Sequence, residues 1–118
     1  MNSGTAQKMI ELSATGLEGL NHIQKRTAGG GGGETMDLFH DVVLAFSEME
    51  RALETENWTM SHRLDQARTQ LVAGFSQLTD AYEHKDMDRV LELLEVCILP
   101  RYQEWNTVLR QELREHLH

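Results

Sequence analysis

Six histidines, His22, His40, His62, His84, His116 and His118, hold most of the chemistry this chain could perform. An imidazole binds metals and moves protons near neutral pH. A di-iron bundle needs more than histidines. It takes a glutamate from each of two helices and a Glu-x-x-His pair from each of two others, all pointing inward. That spacing occurs only in Glu115-His116-Leu117-His118, at the chain end. His40 follows Asp37 by three residues and His84 precedes Asp88 by four. Both pairs lie near segment ends and read as solvated polar faces. No metal site is expected.

A phosphotransfer bundle would instead expose one histidine in mid-helix, with a lysine and a small residue soon after. His62 sits in Ser61-His62-Arg63-Leu64-Asp65 and lacks the lysine. His22 is followed by Ile23-Gln24-Lys25, at a helix end. Cys97, the single cysteine, falls on an apolar face between Leu94 and Ile98. It reads as a small core residue rather than a nucleophile, and no disulfide can form within the chain. No Gly-x-Ser-x-Gly, His-Glu-x-x-His or Cys-x-x-Cys occurs. The expectation is a protein with no catalytic residue and no cofactor.

The run Ala28-Gly29-Gly30-Gly31-Gly32-Gly33-Glu34-Thr35 could be taken for a phosphate cradle. A Walker loop follows a strand and ends in Gly-Lys-Ser/Thr. This run follows a helical segment and ends in Gly-Glu-Thr. It reads as a flexible linker over residues 28–34 within one domain covering 1–118.

Charge narrows the partners. Nineteen acidic and eleven basic residues give a net charge of −8. Nucleic-acid binding rests on a basic footprint, and none is visible. No apolar run is long enough to span a membrane. The start, MNSGTAQKMIELSATGLEGL, lacks a basic region followed by an apolar stretch, so no signal peptide is expected. The reading is a soluble, cytoplasmic, acidic protein.

Four segments carry helical periodicity, and none shows sustained strand alternation. The first spans Thr5–Arg26, with Thr5 as N-cap. Its stripe is Met9, Leu12, Gly16 or Leu17, Leu20 and Ile23. Gly16 and Gly19 on that stripe suggest a neighbouring helix at close range. The second spans Thr35–Glu54, with Thr35 as N-cap and Phe39, Val42, Val43, Phe46, Met49 and Leu53 inward. The third runs from Thr59 or Met60 to Glu83, where Met60, Leu64, Ala67, Leu71, Gly74, Leu78 and Ala81 fall in heptad-like steps and Phe75 and Tyr82 widen the face, as in a bundle helix. The fourth starts near Asp86 or Met87 and carries Val90, Leu94, Ile98, Tyr102, Trp105, Leu109 and Leu113 towards the C-terminus. Pro100 interrupts it. An interior proline removes one backbone hydrogen bond, so this helix should be kinked or broken there. The fold expected is an all-α, antiparallel four-helix bundle.

Trp58, Tyr82, Tyr102 and Trp105 are the candidate partner contacts, because tryptophan and tyrosine anchor interfaces. Trp58 falls in a turn, where no core position is obvious. Met9, Met36, Met49, Met60 and Met87 would supply adaptable packing. The stretch from Ala81 to Trp105, AYEHKDMDRVLELLEVCILPRYQEW, has an acidic turn that opens a helix with a leucine pair, then a proline, then a tryptophan. It resembles a pattern in small uncharacterised helical proteins of bacilli, and implies no activity. The order of short amphipathic helices is more loosely similar to the flagellar export chaperones, which implies an acidic bundle that holds a disordered partner. The reading is a non-catalytic interaction module, an adaptor or chaperone for a protein partner, able to dimerise through the faces of the second or fourth segment. The alternative is a histidine-phosphotransfer or metal-binding catalytic bundle.

Overall fold

The computed structural model describes residues 1–117; His118 lies outside them. Helix α1 spans Ser3–Ala28, α2 Thr35–Thr55 and α3 His62–Glu83. A fourth rod is joined from α4 (Met87–Leu93), a π turn (Leu94–Ile98) and α5 (Leu99–Leu113). No strand occurs among the described residues. The four rods form an all-α four-helix bundle. Each packs closely on α1 or on the fourth rod: α2 lies against α1, α3 against α4 and α5, and α1 against α5.

The helix starts differ from expectation at three places, and one is α3, which begins at His62 and not at Thr59 or Met60. Asn2, not Thr5, caps α1: its side-chain oxygen accepts from the Thr5 amide at 2.8 Å. An Asn side chain reaches the amide three residues on and so satisfies a donor that a helix leaves orphaned. Thr35 is the first residue of α2 rather than its cap, with Glu34 in the cap position. The Thr35 hydroxyl is buried, 2.8 Å from the Tyr82 hydroxyl and 3.4 Å from that of Thr27. Ser61 and Asp86 cap α3 and α4 through the amides of Leu64 and Arg89.

Two helix ends close in the same way. The Gly31 amide donates to the Arg26 carbonyl and the Gly30 amide to that of Thr27, with Gly30 at φ +93°. This is a Schellman closure, which needs a residue in the left-handed region. Lys85 at φ 54° plays that part after α3, where Asp86 donates to Ala81 and Lys85 to Tyr82. Asn57 at φ 56° stands after α2. Residues 28–34 form a Schellman turn and then a 3-10 turn over Gly32–Glu34. Arg26 and Glu34 pair across it at 2.9 Å.

The fourth rod explains Pro100. Val90, Leu94, Ile98, Tyr102, Trp105, Leu109 and Leu113 are all buried. They advance 23 residues in six turns, about 3.8 per turn where an α-helix has 3.6. The stripe is therefore not in phase with a straight α-helix, and the surplus exceeds one residue. The π turn absorbs it: the Leu99 amide bonds back to Leu94, five residues earlier. The widening lies just before Pro100, whose missing amide would have left an α-helical carbonyl unpaired. Pro100 thus sits at the start of α5 in a rod that keeps its helical course. Leu94, Ile98 and Leu99 all hold right-handed helical angles.

Candidate interaction surface

The histidines do not converge. His22, His40, His62 and His84 are exposed on separate helices or turns, and His116 is half-buried near the C-terminus. His84 turns its Nδ1 to the Asp80 carbonyl at 2.8 Å, which ends α3. No group of three or more His, Cys, Asp or Glu able to hold a metal occurs among the described residues. The Glu115-x-x-His118 spacing falls partly outside them. Cys97 is buried against α3, where a Cβ added at Gly74 would stand 3.1 Å from its sulfur.

Three of the four aromatic candidates are core residues. Tyr102 is fully buried and donates its hydroxyl to the Ser13 carbonyl at 2.8 Å. That hydroxyl lies over Gly16, where an added Cβ would come within 2.2 Å of it. The glycine on the inward face therefore admits one specific ring as well as a helix. Trp105 is buried between Phe46 and Tyr102, with ring centroids at 4.9 and 5.2 Å. Tyr82 is buried beside Phe39 at 5.7 Å. Burial pushes the phenols of Tyr102 and Tyr82 above their ordinary value, and the Thr35 hydrogen bond opposes this at Tyr82. Trp58 is half-buried against the core in the α2–α3 turn, so of the four it alone keeps surface to offer.

The polar cleft between α3 and α5 offers little selectivity. It holds about 600 Å³ and is lined by Arg63, Gln66, Gln70, Pro100, Arg101 and Glu104, among others. Arg101 donates to the Gln70 carbonyl at 2.9 Å and Arg63 to the Gln111 side chain at 3.1 Å. Charges of both signs line it, so no single ligand charge is favoured.

The seam between α2 and α3 is different. These two backbones hardly approach one another, unlike the other neighbouring rods. Phe39 and Phe46 from α2 and Phe75 from α3 fill the gap, with centroids at 5.7 and 5.4 Å in edge-to-face pairs. Glu50 and Arg68 pair across its outer edge. Arg68 is held above its ordinary value chiefly by its hydrogen bond to Glu50, against partial desolvation, and then by the charges of Glu50, Asp65 and Glu54. Glu50 alone pairs with this guanidinium; Asp65 and Glu54 act on it from further off. Apolar side chains continue this edge on α2. Met36 and Val43 stand at seven-residue steps before Glu50, on the same line of α2, and both are half-buried. Val72 stands one turn beyond Arg68 on α3 and is 38% exposed.

Sequence reading missed this seam. Its stripe placed Val43 inward with Val42, and it gave no role to Glu50 or Arg68. A signal existed: Met36, Val43 and Glu50 share one seven-residue line, which runs beside the core stripe and not within it.

A family model described as a domain of unknown function, DUF8042, matches residues 5–108. No curated protein matches the chain. No solved structure matches it either. No helix is long and apolar enough to cross a membrane among the described residues.

Proposed function

The chain belongs to the DUF8042 family, whose function is unknown, and from the geometry of the bundle we propose that it is a non-catalytic protein-interaction module. It acts as an adaptor, or as a chaperone of the export type, in the cytoplasm. The observation that carries the reading is the α2–α3 seam. Two amphipathic helices face each other there across a gap closed by aromatic rings, with Met36, Val43 and Val72 only partly covered. Such a seam gains burial when another helix lies along it. Trp58, at the turn joining the same two helices, is the one surviving aromatic candidate for a contact.

The test is cross-linking in the native host, followed by gel filtration and mass spectrometry of complexes held by the tagged full-length chain. The expected result is a stoichiometric complex with one protein, at a size above that of the free chain. A chain that runs alone after cross-linking overturns the reading. So does phosphate carried on a histidine, or turnover that depends on an added metal; either would restore the catalytic alternative. A homodimer in place of a heteromeric complex would keep an interaction role and assign it to self-association.

A further inference from the structure

We propose that the α2–α3 seam docks a basic amphipathic helix of a partner protein, with its apolar stripe over Met36, Val43 and Val72 and its lysines or arginines over Glu54 and Asp65. The proposal rests on the interaction reading above and names the surface and the chemistry it selects.

The polarity of the seam carries the argument. Its ends differ in kind. At the end near the α2–α3 turn, Glu50, Glu54 and Asp65 all act on Arg68, and that guanidinium is already engaged by Glu50. The guanidinium is spent on Glu50, which leaves the carboxylates of Glu54 and Asp65 in excess of it. Such an excess favours a cationic visitor and repels an acidic one, including a second copy of this chain at −8. Away from the turn, Val43 and Met36 continue the Glu50 line on α2, and Val72 follows Arg68 on α3, with Thr79 seven residues beyond it. A helix rather than an extended strand suits the site, because both lips are helical and a bundle offers no sheet edge. The other exposed apolar side chains lack this setting. Leu38, 37% exposed, stands off the Met36–Val43–Glu50 line of α2, Leu44, 59% exposed, lies on the α2 face turned away from the core, and Val96, 70% exposed, is carried outward on the π turn.

The experiment uses the full chain and two designed 18-residue helical peptides, identical in their leucine face. One carries lysines at one end of its polar face, the other glutamates. Methyl NMR follows Met36, Val43 and Val72, and calorimetry gives the affinity. The lysine peptide is expected to bind and to shift those three methyls, and the glutamate peptide to bind at least tenfold more weakly. Val72→Lys is expected to weaken the lysine peptide by about tenfold, the worth of burying one such side chain. Leu44→Lys changes the net charge equally and should change the affinity far less. Melting curves establish that both variants fold; Val72→Ser, with no added charge, should weaken binding too.

Equal losses from Val72→Lys and Leu44→Lys would mean charge attraction alone and overturn the proposal. Shifts centred on α1 or α5, or equal binding of both peptides, would also overturn it. A free chain that is dimeric, and monomeric as Val72→Lys, would give the seam to a second copy instead. Failure of the seam is separable from failure of the reading beneath it. A native-host complex that persists in Val72→Lys leaves the module and removes the seam; no complex with the wild-type chain removes both.

Discussion

Two seams of this bundle solve the same packing problem in opposite ways. Between α1 and α5 the backbones come close, and Gly16 makes room for the Tyr102 hydroxyl on the Ser13 carbonyl. Between α2 and α3 the backbones stand apart, and large rings with one ion pair span the gap. The first seam is set by an absent side chain and has no tolerance for added volume. The second is set by large side chains and suffers most from their loss. Close-packed interiors penalise both errors, but from opposite directions.

The largest effect should come from removing the filler of the wide seam. Phe75 meets both Phe39 and Phe46. Phe75→Ala is expected to cost about 3–5 kcal/mol, because the rods cannot close over the space left behind. Denaturant unfolding measures it. A cost near 1 kcal/mol would mean that α2 collapses onto α3 and that the gap is not fixed by the rest of the bundle.

The opposite change breaks the close seam. At Gly16→Ala the new methyl group meets the Tyr102 hydroxyl, so the ring must move and its buried hydrogen bond is strained or lost. The expected net cost is about 2–3 kcal/mol, after a helix gain of about 1 kcal/mol for replacing glycine. Gly19→Ala is the control, since its added methyl would stand 3.3 Å from a Val42 methyl and ask for only a slight shift. It should be close to neutral. In a double-mutant cycle, Gly16→Ala should cost less in a Tyr102→Phe background, because the clashing hydroxyl is gone. Additive costs would separate the glycine from the ring.

How much of this was legible depended on whether a helix period or a cross-helix distance set the feature. The stripes of α2 and α3 follow from apolar spacing, and they placed Phe39, Phe46, Leu64, Leu71 and Leu78 correctly in the core. The inward place of Gly16 followed from the same spacing, but its partner did not, because Tyr102 lies 86 residues away in sequence. The residue types of Tyr82, Tyr102 and Trp105 suggested contact anchors; burial within the stripes was the stronger clue, and the stripes already contained them. Pro100 drew attention to the right turn. The four-residue steps of Val90, Leu94, Ile98 and Tyr102 held the finer message, that a residue is in surplus there and a widened turn must take it up. The α2–α3 seam was least visible. It depends on how far apart two backbones settle, which no single stripe records.

Both seams also hold a buried phenol, and alkali should find them together. Tyr102 serves the close seam, and Tyr82 lies at the end of the wide one, against Phe39 and Thr35. Each has a folded pKa above the unfolded value of 10.0, chiefly through burial. The stability tied to this is complete below pH 10 and falls as pH rises past it, because the unfolded chain releases the proton first. Each tyrosine should add a slope of up to about 1.4 kcal/mol per pH unit above pH 10. Tyr102→Phe should remove the larger and more persistent share of that slope, since no side-chain hydrogen bond offsets burial there. An unchanged slope would mean that the ring is reached by solvent before the bundle opens.

The smallest effect separates what holds the wide seam from what merely decorates it. Glu50 and Arg68 close its edge, with side chains 19% and 35% exposed. An ion pair so placed gains little net energy, because water screens it and two long side chains lose freedom. Glu50→Gln keeps the shape and removes the charge. It should cost under about 1 kcal/mol, with the difference shrinking as salt is raised. The loss is small for a second reason: Asp65 and Glu54 remain to act on Arg68. The pair is then a gate at the edge of a seam whose stability comes from Phe39, Phe46 and Phe75. A loss of several kcal/mol, insensitive to salt, would reverse that ranking and make the ion pair the element that holds α2 at its distance from α3.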